Sequence, residues 1–146
     1  MFVYTSESPS QEQLQEATRK GARLLDKMIP GWHRHMRPER LVMSSPSLCA
    51  LGQLFGHDVE LSIAKEMYPK AWAKHRKGEG SGYGIGVGMI TEWVNKEIAC
   101  SPEMCTELNE ERNFLRMTCA GYDTKCFWSE EVAERLVNDD GQDTEA

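Results

Sequence analysis

The chain has 146 residues, a formal net charge of −6, and a composition that is 40% hydrophobic and 27% charged. These values are typical of one globular domain that can bury its own core, and they exclude collagen, a coiled-coil rod and a fully disordered chain. The acidity argues against binding nucleic acid over the whole surface, although a local basic patch remains compatible with it.

The first predicted element is an amphipathic helix that begins near residue 10 and ends at Pro30-Gly31. Ser8, with Pro9 at the first helical position, and Ser10, with Gln13 at the spacing of a capping box, are both possible N-caps. A Pro-Gly pair stops a helix. Small and apolar residues then recur at helical spacing and predict the buried face: Leu14, Ala17, Gly21, Leu24, Leu25 and Met28.

Shorter helical segments are predicted between residues 47 and 76. Ser47 and Asp58 are candidate N-caps, Gly56 is a helix stop, and Pro69 breaks the chain before a further short helical turn. Residues 78–88 then read GEGSGYGIGVG, with glycine at every even position. Because each glycine inside a helix costs about 1 kcal/mol relative to alanine, this tract predicts a loop or a short strand.

Helical patterns resume over residues 89–98 and again after Ser101-Pro102, with Gly121 as a stop and Ser129 as the cap of a last helix. We therefore predict a mainly α fold of about five to six helices, with the glycine-rich loop or strand in the middle. Residues 1–138 would form one globular helical domain, and residues 139–146 an acidic flexible tail.

The glycine tract is one candidate binding site, because backbone amides of glycine-rich loops approach phosphates closely. In that interpretation Lys74, Arg76 and Lys77 contact the phosphates, Tyr83 stacks on a base, and four glycines line the approach: Gly80, Gly82, Gly84 and Gly86. The tract lacks both G-x-G-x-x-G and a following Gly-Lys-Ser/Thr, so a purely structural connection is the alternative.

Four cysteines are candidate zinc ligands, namely Cys100, Cys105, Cys119 and Cys126. A tetrahedral zinc site takes four such ligands, but the spacing is looser than the usual two-residue pairs, so buried free thiols in a helical core are the alternative. We expect no cofactor unless the four cysteines bind zinc. Cys49 and His57 could in principle form a nucleophilic pair, but no complete catalytic signature is present, which favours a protein that is not an enzyme.

Basic residues concentrate in two clusters, at residues 33–40 and 70–77, with Trp32 and Trp72 beside them. Such clusters could meet in the fold and bind phosphates and bases. Alternatively each cluster is a solvated helix end or turn, and the tryptophans belong to the core.

One stretch of the sequence resembles a known group of proteins. It comprises Leu24-Leu25-Asp26, Gly31-Trp32, Leu41 to Met43 and the segment CALGQLFG at residues 49–56. The resemblance is to uncharacterised small proteins encoded by phages of actinobacteria. It covers about residues 20–56, and a weaker similarity is found in the segment CAGYD at residues 119–123. The glycine tract and the additional cysteines depart from that group. The resemblance implies a phage or prophage origin and supplies no activity.

Three functional hypotheses follow from these observations. The first is a small phage-type accessory protein, a non-enzymatic binding protein that acts on a host or phage protein partner. The second is a nucleotide- or phosphate-binding protein that uses residues 70–77 and 78–88, and the third is a zinc-stabilised interaction module. The N-terminus MFVYTSESPSQEQ lacks the features of a signal peptide, and no stretch is long and apolar enough to span a bilayer. We therefore expect a cytoplasmic protein without membrane association.

Overall fold

A computed structural model describes residues 10–45, 48–56, 62–77, 82–118 and 122–145. Within these ranges the chain forms α-helices and 3-10 turns and no strand. The helices are α1 (Gln11–Met28), α2 (Ala50–Phe55), α3 (Ala64–Met67), α4 (Pro69–Arg76), α5 (Gly82–Cys100), α6 (Cys105–Thr118) and α7 (Lys125–Glu145). The 3-10 turns are Trp32–Arg34, Pro38–Arg40 and Pro102–Met104. The mainly α prediction is confirmed, and the described ranges hold seven α-helices where the sequence predicted five to six.

Helix α1 has the boundaries that its sequence predicts. The Ser10 hydroxyl accepts from the Gln13 backbone N–H at 3.2 Å, and the Gln13 side chain accepts from the Ser10 N–H at 2.8 Å. The helix ends at Met28, and Gly31 has φ of 84°, a left-handed conformation that glycine adopts without a steric penalty. The predicted capping box and Pro-Gly stop are both confirmed.

Other predicted boundaries have mixed outcomes. Gly56 directly follows α2 and Pro69 begins α4, as expected. Ser129 was expected to cap the last helix, but α7 begins at Lys125, and the Ser129 hydroxyl donates to the Lys125 carbonyl. The fully buried Trp128 explains this earlier start, because it lies in the added turn and packs in the core. The predicted caps Ser47 and Asp58 and the stop Gly121 lie outside the described residues.

The core is formed by buried side chains of α1, α2, α5, α6 and the start of α7, together with the segment between α1 and α2. Helix α1 packs along α6, with Gly21 against Leu115, and the rings of Trp32 and Trp128 meet edge to face at 5.6 Å. The largest fully buried side chains are Trp32, Trp128, Phe55, Leu24, Leu25, Met28, Ile29, Leu51, Leu54, Ile85 and Met89. Trp32 is therefore a core residue, in agreement with the interpretation that the tryptophans beside the basic clusters belong to the core.

The loop or strand predicted for the glycine tract is wrong over residues 82–88, which form the first two turns of α5. The remainder of the tract, residues 78–81, lies outside the described residues. In a helix, residues four apart share a face, so glycines at alternate positions form two stripes on opposite sides. Gly82 and Gly86 form one stripe, and Gly84 and Gly88 form the other.

Each glycine stripe allows another helix to approach α5. A Cβ on Gly82 would lie 2.6 Å from the Gly52 carbonyl oxygen, and a Cβ on Gly86 would lie 3.0 Å from the Phe55 ring, so this side packs on α2. On the other side, a Cβ on Gly88 would lie 2.6 Å from Nδ1 of His75 in α4. Close packing on two sides outweighs the low helix propensity of glycine, which explains why the propensity-based prediction failed.

Polar contacts attach α7 to α1 and to the first 3-10 turn. Arg135 donates to both carboxylate oxygens of Asp26 at 2.8 and 2.7 Å, and its guanidinium lies over the Trp32 ring. Farther along α7, Asp139 lies 2.5 Å from Nε2 of His33 and accepts from Arg34. Helix α7 continues to Glu145, so the backbone is helical beyond the boundary predicted at residue 138.

The contacts of Asp139 predict an acid-dependent loss of stability. Hydrogen bonds from His33 and then Arg34 lower the pKa of Asp139. A carboxyl with a lowered folded pKa contributes stability above its ordinary pKa of about 3.9, and that contribution is lost as the pH falls through the folded value. We expect Asp139→Asn to lower the thermal midpoint at pH 7 and to lower it less at pH 3. Melting curves for this variant and for Glu134→Gln test the expectation, and equal shifts at both pH values would contradict it.

Candidate functional site

An open groove runs along one side of α5 and encloses about 560 Å³. Its floor is a strip of α5, and its wall is the C-terminal end of α4. The lining residues, which together define the α5 groove, are Gly88, Thr91, Glu92, Asn95, Lys96 and Ala99 from α5 and Lys74 and His75 from α4. Two other depressions in the described part of the chain are smaller, at about 260 and 90 Å³.

The floor of the groove is continuous because of its spacing along the helix. Its residues follow one another at intervals of three, one, three, one and three positions, which places all of them on one helical face. From Gly88 to Ala99 the strip is about 16 Å long at 1.5 Å per residue. Gly88, Thr91, Asn95 and Ala99 are small or short, so this face of α5 lies open to another chain segment.

Gly88 determines how close the wall lies to the floor. The His75 ring lies directly over Gly88, at a distance where an added Cβ would require the ring to move. His75 Nε2 lies 3.3 Å from one carboxylate oxygen of Glu92, and Lys74 donates to the other at 3.1 Å. The junction of α4 and α5 therefore places an imidazole, an ammonium group and a carboxylate at one end of the groove.

Glu92 is the centre of charge in the groove. Hydrogen bonds from Lys74 and from His75 lower the pKa of Glu92, and the charge of Lys96 acts in the same direction. Two lysines thus face one carboxylate, which leaves an excess of positive charge in the groove even with His75 neutral. The Lys74 side chain is 67% exposed, so its pair with Glu92 contributes at most about 1 kcal/mol and exchanges readily.

The predicted phosphate-binding set does not come together. Among its described members only Lys74 lines the groove. Arg76 lies over the Trp72 ring at 5.0 Å, Lys77 is the exposed C-cap residue of α4, and Tyr83 packs partly buried against the core. Gly82, Gly84 and Gly86 belong to helix α5, and Gly80 lies outside the described residues.

Three of the four predicted zinc ligands lie within the described residues. Cys100 ends α5, Cys105 begins α6, and Cys126 lies in the first turn of α7; all three are exposed free thiols. The length of α6, about 20 Å, separates Cys105 from Thr118, whose carbonyl accepts from Thr124 at the start of α7. No three His, Cys, Asp or Glu side chains group around a metal position in the described ranges. Cys119 lies outside them, so the four-cysteine set stays a prediction.

The two basic clusters form contacts with different elements. His33 and Arg34 contact Asp139 of α7, whereas Lys74 and His75 contact Glu92 of α5. Cys49 caps α2 and is buried, and His57 lies outside the described residues. Sequence analysis identified Lys74 but missed Glu92, Lys96 and the floor of the groove. The three-four spacing of Thr91, Glu92, Asn95 and Lys96 was the available signal, and it lies within the helix predicted at residues 89–98. Only Gly88 joins the floor through the earlier start of the helix at Gly82.

Comparison of the chain with protein-family models, with curated proteins and with solved structures gives no match. The helices of the described ranges include none with both the length and the apolar character required to cross a bilayer. The geometry of the α5 groove and the pattern of charges around it are therefore the basis for a functional proposal.

Proposed function

We propose that this protein is a non-enzymatic binding domain that holds a segment of a partner protein in the α5 groove. The observation that carries the proposal is the floor of the groove, a strip of α5 about 16 Å long in which small or short residues alternate with Glu92 and Lys96. A strip of that length matches about three turns of a docked helix or about five residues of an extended segment. On the resemblance to phage proteins, the partner would be a host or phage protein in the host cytoplasm.

A site-specific photo-crosslinker tests this proposal directly. We expect benzoylphenylalanine at Asn95 to give one discrete protein adduct in an extract of an actinobacterial host, because Asn95 is exposed in the groove floor. The same group at Glu12, which is exposed on α1 and away from the groove, should give no such adduct. Adduct formation is measured by gel shift and mass spectrometry.

A blocking variant provides the matched control. Thr91→Trp in the Asn95 crosslinking protein would fill the middle of the groove while leaving the buried core unchanged, and it should abolish the adduct. The absence of any discrete adduct at Asn95, or an adduct that persists in the Thr91→Trp protein, would contradict the proposal.

A further inference from the structure

We infer that the segment held in the α5 groove is acidic and that its carboxylate replaces Glu92 as the partner of Lys74. This inference rests on the proposed function and adds the chemistry of the occupant. Its basis is that Lys74 and His75 hold the carboxylate of Glu92 in the groove, with Lys96 one turn farther along α5, so that this carboxylate occupies the position that a ligand carboxylate would take.

The balance of charge favours an anionic occupant over a neutral or basic one. The groove is lined by two lysines, Lys74 on the wall and Lys96 on the floor, against the single carboxylate of Glu92, so it is locally cationic in a chain whose net charge is −6. A basic segment would meet like charge along this wall, while an acidic segment is steered toward it and gains charge-assisted hydrogen bonds.

The exchange of one carboxylate for another needs little rearrangement. Lys74 is 67% exposed and Glu92 is 24% exposed, so both already lie at the surface, where ion pairs exchange readily. The Glu92 side chain has room to turn along the floor of the groove, because its neighbours Gly88, Thr91 and Asn95 are small or short. Lys96, one turn farther along α5, would contact the next anionic group of the occupant.

Fluorescence anisotropy with defined peptides tests the inference. The probes are a labelled peptide of about 12 residues that alternates Glu with Ala, matched to the helical length of the groove, and its twin with Gln in place of Glu. We expect the Glu peptide to bind about tenfold tighter than the Gln twin at low salt, the combined effect of exposed ion pairs with Lys74 and with Lys96. Lys74→Gln and Lys96→Gln should each weaken binding of the Glu peptide by up to about fivefold.

Two further variants make the test specific to the groove. Glu92→Gln removes the internal competitor and should strengthen binding of the Glu peptide by up to about fivefold. Lys70→Gln removes a lysine of α4 that does not line the groove, and it should leave binding unchanged. Weaker binding by Glu92→Gln, an equal loss in Lys70→Gln, or equal binding of both peptides would overturn the inference.

The alternative source of negative charge is a free phosphate ligand. Binding of inorganic phosphate or ATP more tightly than the Glu peptide would overturn the inference in favour of a nucleotide or phosphate site. Different experimental results would contradict the acidic occupant and the proposed function. An Asn95 adduct that forms equally well in Lys74→Gln/Lys96→Gln protein would contradict only the acidic occupant, whereas the absence of an adduct contradicts the proposed function.

Discussion

Replacement of Lys27 by methionine should destabilise the protein by about 3 kcal/mol at pH 7, the lower end of the range for breaking a buried ion pair. Lys27 donates to Glu111 at 2.8 and 3.2 Å across the packed surface between α1 and α6. The Glu111 side chain is 4% exposed, so its carboxylate would lose its cationic partner inside the protein. The lower end of the range applies because about a third of the Lys27 side chain is exposed.

The pH dependence of the stability loss in Lys27→Met tests whether the unpaired carboxylate of Glu111 causes it. Burial raises the pKa of Glu111, and the hydrogen bond from Lys27 opposes the rise. A carboxyl whose folded pKa lies above its unfolded value binds more protons in the folded state, so its penalty declines as the pH falls. We therefore expect part of the loss in Lys27→Met to be recovered between pH 7 and pH 5. Urea unfolding at both pH values is the measurement.

A double variant is the control for this prediction. Lys27→Met with Glu111→Gln removes the buried charge together with its partner and should restore much of the stability at pH 7. An equal loss in the single and double variants would show that the destabilisation does not depend on the charge of Glu111, which would contradict the prediction.

Gly82→Ala should destabilise the protein by about 1–3 kcal/mol, the usual cost of overpacking a core. The new Cβ would lie 2.6 Å from the Gly52 carbonyl oxygen, 2.8 Å from the Gly52 Cα and 2.9 Å from the Gly56 Cα. All three atoms belong to the backbone, so relief requires α2 to move as a unit. Chemical denaturation measures the loss.

Gly88→Ala is the matched control, because the same substitution on the opposite stripe meets a side chain. Its Cβ would approach Nδ1 of His75, which can rotate, and alanine favours the helix by about 1 kcal/mol relative to glycine. We expect stability within about 0.5 kcal/mol of wild type, as for most surface substitutions. Equal losses at both positions would contradict the expectation that the backbone contacts with α2 make Gly82 the more constrained of the two.

The parts of the fold that local chemistry determines were predictable from the sequence. Ser10, Gln13 and the Pro30-Gly31 pair act within one turn of the helix they delimit, and they define both ends of α1. The start of α5 depends instead on contacts with residues far away in the sequence, at Gly52, Phe55 and His75. Glycine propensity alone predicts the opposite outcome, since the favourable packing is visible only when three helices are considered together.

The candidate site likewise combines features that the local sequence predicts with features that depend on contacts between distant residues. The basic character of residues 70–77 was visible in the sequence, and Lys74 does line the groove. The pairing of Lys74 with Glu92, 18 residues later, depends on how α4 crosses α5 and has no local signal. The glycines that pointed to a phosphate loop instead bring the wall and the floor of the groove into contact at Gly88.

The two halves of α5 differ in how readily they form a helix. The first two turns contain four glycines, so they nucleate poorly and become helical only when α2 and α4 dock against them. The second half, from Met89 onward, contains no glycine and includes the greater part of the groove floor. Most of the floor therefore consists of residues with ordinary helix propensity, while the wall at His75 and Lys74 meets it at a turn whose helix depends on tertiary packing. An intact groove consequently requires α2 and α4 to be packed against α5.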